Sequence, residues 1–225
     1  MIHFLKIRWP RLVTVLLASA LSACAVQVAR DANPEDDPNN GVVVFSVSHD
    51  RESGSRAKAI VYLDEGTLST AGSAALQSSN YPIPGGNDFE EVQGRLYVLS
   101  LPAGDHQFSS WVIADSGTGQ RIVPGKGAQV LRFRVDGGKI KYLGNLHASV
   151  ESGRGDVAGA SKAVNGAIEV KDEQERDGKV LLEKYPQYAG KVGKDLLRMG
   201  PWVGAEPPKS SFDMPMFMPP FRFLK

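Results

Sequence analysis

Three histidines, one cysteine and a close-set trio of methionines are the side chains beyond the first 23 residues with the widest chemical range. His49, His106 and His147 stand far apart in the sequence. None sits in a His-x-x-x-His or Cys-x-x-Cys spacing, so a metal site would have to form by convergence in three dimensions. A hydrolase needs a nucleophile, a base and an orienting group within hydrogen-bond reach, and the local signatures of one are missing. There is no Gly-x-Ser-x-Gly elbow. Ser55-Arg56-Ala57-Lys58 spells Ser-x-x-Lys, but that motif works on a helix, whereas Lys58 falls in a predicted strand. Its companion Ser-Asp-Asn and Lys-Thr-Gly triplets are absent as well. Gly119 to Gly127 approximates a phosphate loop, yet five residues separate Gly119 from Gly125 where four are required, and Gly127 stands where Ser or Thr would hold Mg²⁺. It reads as a β-turn. Met214, Met216 and Met218 place three thioethers in five residues, a donor set suited to Cu(I). From this inventory no catalytic residue and no cofactor is expected.

Cys24 is the only cysteine, and what precedes it explains its position. A basic start (Lys6, Arg8, Arg11) leads into an apolar run from Leu12 to about Leu21, too short to cross roughly 30 Å of hydrocarbon as a helix. Such a segment reads as an export signal. It closes on Leu21-Ser22-Ala23-Cys24, which resembles the lipobox of bacterial lipoproteins. The resemblance implies cleavage of residues 1–23 and acylation of Cys24 as a diacylglyceryl cysteine carrying palmitate-type chains. The membrane would then be the first partner. Each buried methylene contributes about 0.8 kcal/mol, so two or more chains make a stable anchor. Ala25, rather than Asp, follows the cysteine, and by the same resemblance this implies the outer membrane with the body facing the periplasm.

Loss of residues 1–23 removes three of the 26 Lys and Arg and none of the 25 Asp and Glu, leaving a chain close to neutral. That balance argues against nucleic acid as a partner. With Cys24 acylated no thiol remains for a disulfide, so stability must come from the core. Residues 24–41 carry Asp31, Glu35, Asp36, Asp37, Pro34 and Pro38 without apolar periodicity, and are read as an acidic flexible tether. The alternation of Asp31, Asn33 and Glu35 lacks the turn glycine of a calcium loop.

From Val42 the texture becomes short β-branched and aromatic runs divided by Gly, Pro, Asn and Asp, which predicts a mainly β fold, an antiparallel β-sandwich of immunoglobulin or transthyretin type, over residues 42–170. Strands are expected at 42–48 and at 57–64, where Ala57, Ala59, Val61 and Leu63 alternate with Lys58, Ile60 and Tyr62. Residues 67–86 read as a long loop with at most one short strand. Two hairpins are expected: 95–101 with 106–114 across Pro102-Ala103-Gly104, and 129–135 with 139–146 across Asp136-Gly137-Gly138. Residues 152–166, which include the Arg154-Gly155-Asp156 tripeptide, read as a solvated connection before a short strand at 167–170. A helical extension then spans 171–200. Asp172 and Glu175 look like a capping box, Glu175 and Lys179 an i,i+4 pair, and Leu181, Tyr185 and Tyr188 a shared apolar face. Pro186 ends this helix, and a second short one is expected at 191–199.

The run Leu101-Pro102-Ala103-Gly104-Asp105-His106, followed by Phe133 to Lys139 and Tyr142-Leu143-Gly144, resembles Gram-negative lipoproteins that carry a transthyretin-like or carboxypeptidase-regulatory-like β-sandwich. The likeness covers roughly 42–150, and Glu175-Arg176-Asp177 with Tyr185-Pro186 extends it. It implies a fold more than an activity. In the tail, 201–225, prolines alternate with Phe212, Met214, Met216, Phe217, Met218, Phe221 and Phe223. Those phenylalanines suit docking to another envelope protein. The expected function is a noncatalytic binding or envelope-maintenance module. The rival is a periplasmic Cu or small-ligand binder, or an enzyme whose site forms only on folding.

Overall fold

A computed structural model describes Val28 and residues 33–51, 56–64, 74–79, 86–125, 129–154 and 161–203 of the chain, and these form a mainly β protein with two sheets and one α-helix. Its central strand is a run of valines. β1 (Asn40–Asp50) is buried from Gly41 to His49. A near-continuous β-branched run is what a strand covered on both faces requires, and β1 is flanked on both edges as well. It pairs antiparallel with β4 (Val92–Pro102) and parallel with β8 (Ile140–Arg154). β9 (Ser161–Lys171) and β11 (Gly200–Trp202) complete the first sheet in the order β11-β9-β8-β1-β4. β10 (Val192–Lys194) lies parallel to Ile140–Tyr142 at the start of β8. The second sheet runs β3 (Ala74–Gln77), β2 (Ala57–Asp64), β5 (Gly104–Asp115), with β6 (Arg121–Ile122) and β7 (Leu131–Val135) both paired to β5.

Alternation along β1 sorts its side chains into two cores. Val43, Phe45 and Val47 meet Ala59, Val61, Leu63, Phe108 and Ile113 of the second sheet. The T-shaped Phe45–Phe108 contact, at 5.0 Å between centroids, ties the sheets together. On the opposite face Val42, Val44 and Tyr142 pack under Leu181, Tyr185 and Tyr188 from α1 (Gln174–Lys184) and the 3-10 turn after it. The expected apolar stripe of this helix is therefore present, with Tyr185 and Tyr188 stacked at 5.3 Å.

Several expectations need correction. Neither predicted hairpin forms. β4 joins the first sheet and β5 the second, and β7 and β8 part in the same way, so Pro102–Gly104 and Asp136–Gly138 are crossovers between sheets. In both crossovers the apolar faces of the two strands look at one another across the core. The glycines serve close approach there: a Cβ on Gly137 would stand 1.9 Å from the carbonyl oxygen of Pro38, and one on Gly41 would stand 2.3 Å from that of Asp136. The sandwich is also not purely antiparallel, since β1 and β10 run parallel to β8. The strand expected at 167–170 is the end of the longer β9, which pairs with β8 from Asn145 to Arg154.

Where a second helix was expected, 191–199 is extended. Gly193 disfavours a helix, β-branched Val192 suits a strand, and the backbone N–H groups of Asp195 and Leu197 donate to the carbonyls of Tyr142 and Leu143. The helical extension is thus built into the first sheet through β10 and β11. The capping box also fails to form. The helix begins after Glu173 without a side-chain cap, and the Asp172 carboxylate accepts from Lys194 through Oδ2 and from the Gln174 N–H through Oδ1 at 3.3 Å. The expected Glu175–Lys179 pair is made at 3.0 Å. Finally, the described part of the expected tether is docked. Pro34–Asp36 forms a 3-10 turn with Pro34 buried, the Gly138 N–H donates to the Asn40 carbonyl, and the Ala103 N–H donates to Asn39.

Candidate functional site

Among the described residues, the densest chemistry lies between α1 and the first sheet, built from alternate residues of two strands. On β1, Ser46, Ser48 and Asp50 follow Val42 and Val44 along the face turned toward α1. On β8 the ladder slips at Val44/Phe45, opposite Gly144, whose φ of +109° is a left-handed value that glycine adopts readily. That extra residue resets the alternation, so Tyr142, Asn145 and His147 all reach the α1 side, while Leu143, Leu146 and Ala148 enter the sandwich core. The first turn of α1 supplies Arg176 and Asp177.

These side chains form one continuous chain of hydrogen bonds. Two Arg176 nitrogens donate to Asp177 Oδ1 at 2.7 and 3.0 Å. Ser46 and Tyr142 hydroxyls donate to Asp177 Oδ2 at 2.6 and 2.8 Å. Asn145 Nδ2 donates to Ser46 Oγ at 2.8 Å and to Ser48 Oγ at 3.0 Å. His147 Nε2 lies 3.1 Å from Asp50 Oδ1, and its Nδ1 lies 2.9 Å from Ser48 Oγ. A carboxylate at Nε2 fixes the proton there, so Nδ1 accepts from the Ser48 hydroxyl. The single Ser48 proton thus has two acceptors within reach, His147 Nδ1 and Asn145 Oδ1 at 3.0 Å, and the buried row as a whole ties β1, β8 and α1 together.

Burial governs the ionisation of these groups. Asp177 is fully buried, and desolvation raises its carboxyl above the usual range despite the opposing pull of Arg176, Ser46 and Tyr142. Burial, reinforced by the Asp177 charge, drives the Tyr142 phenol strongly upward. The His147 imidazole is held below its ordinary value, first by burial and then by Lys171, with Asp50 and Glu169 acting the other way.

Ser48, His147 and Asp50 are the three residue types of a hydrolase triad, but their geometry does not serve that chemistry. In a triad Nε2 faces the serine and Nδ1 the carboxylate; here the two nitrogens are exchanged. Ser48 is also 0% exposed, which puts its hydroxyl out of reach of a substrate. The row opens to solvent at its two ends, through Asp50, whose side chain is 48% exposed, and Arg176, at 23%.

The three histidines do not converge. His49 points into the sandwich core, where its Nδ1 meets Ser78 Oγ at 2.8 Å and burial presses its pKa down to about 4. His106 stacks on Phe133 at 5.7 Å and places Nε2 2.8 Å from the Pro102 carbonyl oxygen. Among the described residues no group of three or more His, Cys, Asp or Glu is arranged to hold a metal. Nor is any described helix long and apolar enough to cross a membrane. Cys24 with its box Leu21, Ser22 and Ala23, the thioethers of Met214, Met216 and Met218, and the phenylalanines Phe212, Phe217, Phe221 and Phe223 lie outside the described residues.

No protein-family model matches the chain, and neither does any curated protein. A solved structure that does match is a leucine-rich repeat protein from Bacteroides thetaiotaomicron, at 15% identity and a TM-score of 0.25. The match covers 48% of this chain and 14% of that one, so the likeness spans a small part of the larger protein.

The buried row is absent from the sequence-based list of site residues, although its pattern was there to read. Ser46, Ser48 and Asp50 alternate at the end of a valine strand, and Asn145 and His147 repeat the spacing on β8. Polar residues at period two in an otherwise apolar strand signal partners on one face.

Proposed function

We propose that this chain is a lipid-anchored, noncatalytic module of the bacterial envelope. Acyl chains on Cys24 hold it to the outer membrane, and a transthyretin-like sandwich faces the periplasm as its body. The export signal and the Leu21-Ser22-Ala23-Cys24 box support the anchor. The observation that carries the noncatalytic part is the fate of the reactive side chains. Ser48, His147 and Asp50 spend their hydrogen bonds on one another and on Asn145, while Asp177 spends its own on Ser46, Tyr142 and Arg176 and so fastens α1 to the first sheet, with Ser48 and Asp177 wholly enclosed. Groups committed in this way hold a surface in shape rather than turn over a substrate. The apolar tail with Phe212, Phe217, Phe221 and Phe223 is the segment offered to a second envelope protein. Replacing Cys24 with Ala tests the anchor: palmitate labelling and membrane fractionation should both be lost, and retention of full labelling sinks the reading.

A further inference from the structure

The residue that enters the described structure first is held from two sides. The Val28 N–H donates to the Val98 carbonyl at 3.0 Å, and the Val28 carbonyl accepts the Tyr185 hydroxyl at 3.0 Å. Its side chain is buried in the cluster that contains Val98, Leu181 and Tyr185. Val28 therefore lies on the outer edge of β4, pinned between the sheet and the turn that follows α1.

Only Ala25, Val26 and Gln27 separate this point from Cys24. A chain advances at most about 3.6 Å per residue, so Cys24 lies within about 14 Å of Val28. Had the whole of 24–41 been free, the same limit would be roughly 60 Å. An acylated Cys24 sits at the glycerol level of the bilayer, and the pinned Val28 brings the β4 edge down with it. Resting on the anchor reading above, we infer that the module lies on the membrane by the outer edge of β4, with the phospholipid headgroups as its partner there, and does not swing on a long tether.

The edge itself favours lipid over another protein strand. A sheet edge recruits a strand through free backbone donors and acceptors. Here the Gly94 N–H donates to Asn87 Oδ1, the Gly94 carbonyl accepts the Asp88 N–H, the Leu96 N–H donates to Asp88 Oδ2, and the Val98 carbonyl is taken by Val28. Pro102, at the far end, has no N–H to offer. Lys184 is paired with Asp88 at 2.5 Å, so this charge is already neutralised.

The lipoprotein, purified with its acyl chains and reconstituted in phosphatidylethanolamine–phosphatidylglycerol vesicles bearing a headgroup quencher, tests this directly. One fluorophore is placed at S100C, on the exposed end of the β4 edge, and another at T118C, on the exposed turn after β5. β6, which follows that turn, packs near β9, three strands from β4 and so about 14 Å farther across the sheet. Acylated Cys24 takes no label. Several-fold stronger quenching at position 100 than at 118 is expected, with the difference reduced in V28P, which removes the N–H held by Val98. Y185F, which removes only the hydroxyl bond to Val28, is expected to act in the same direction should V28P fold poorly. Equal quenching at both positions on vesicle-bound protein overturns the inference and leaves the anchor standing. Failure to float with the vesicles overturns the anchor, and this inference with it.

Discussion

Ser46 and Asp177 are joined by a 2.6 Å hydrogen bond between side chains that are both wholly buried, 131 residues apart in the chain. This contact fastens α1 to the central strand, and the carboxylate involved also serves Tyr142 and Arg176. Removing one member of a buried charged pair costs about 3–5 kcal/mol, because the partner is left uncompensated. D177A is therefore expected to lower stability by that order, read as a shift in the urea midpoint. Replacing both groups, as R176M with D177L, is expected to cost less than D177A alone. The opposite ranking would remove Asp177 from the role given to it.

Acid should weaken the fold through His49 and His147. The unfolded imidazole titrates near 6.5, while burial holds His49 at about 4 and lowers His147. A depressed imidazole means that below 6.5 protons bind the unfolded chain first. The stability contributed is complete above that pH and is lost as pH falls toward 4. For His49 alone the loss is about 2 kcal/mol at pH 5. Urea midpoints at pH 7.5 and pH 5 should differ accordingly, and H49N should flatten the dependence. A pH-independent midpoint would contradict the burial of both rings.

Two glycine substitutions should move stability in opposite directions. A Cβ at Gly137 meets the Pro38 carbonyl at 1.9 Å, backbone against backbone, so G137A should destabilise by at least about 2 kcal/mol. Gly178 lies in the middle of α1 with nothing within 4 Å of an added Cβ. There alanine gains about 1 kcal/mol of helix propensity. Thermal melts of the two variants provide the check.

Much of the fold was legible in alternation and turn residues. Ala57, Ala59, Val61 and Leu63 all face the core as their spacing required, and Leu181, Tyr185 and Tyr188 share a buried face. Pairing was not legible. Asp136-Gly137-Gly138 has the composition of a hairpin turn, yet the strands on its two sides pair in different sheets, β7 with β5 and β8 with β1, and Gly137 packs against Pro38 far upstream. The parallel ladder of β1 on β8 is a long-range choice of the same kind. Docking of 33–40 was hidden for a similar reason: a polar, proline-broken segment looks solvated until its backbone groups find Gly138 and Ala103. The buried row escaped because its serines carry no motif and Gly144 breaks the count on β8.

A serine-directed fluorophosphonate should leave Ser48 unmodified in the folded protein, since the hydroxyl is enclosed and bonded to His147 and Asn145. S48A should cost about 1–3 kcal/mol through the partners it strands. Stoichiometric phosphonylation of Ser48 at native pH would restore the hydrolase reading.

The anchor is tested most directly by mass spectrometry of the mature amino-terminal peptide from membrane-extracted protein. The expected peptide begins at Cys24 and carries a diacylglyceryl group on sulfur with an acyl chain on the new amine. A peptide that begins at Met1, or an unmodified Cys24 thiol, would contradict the assignment.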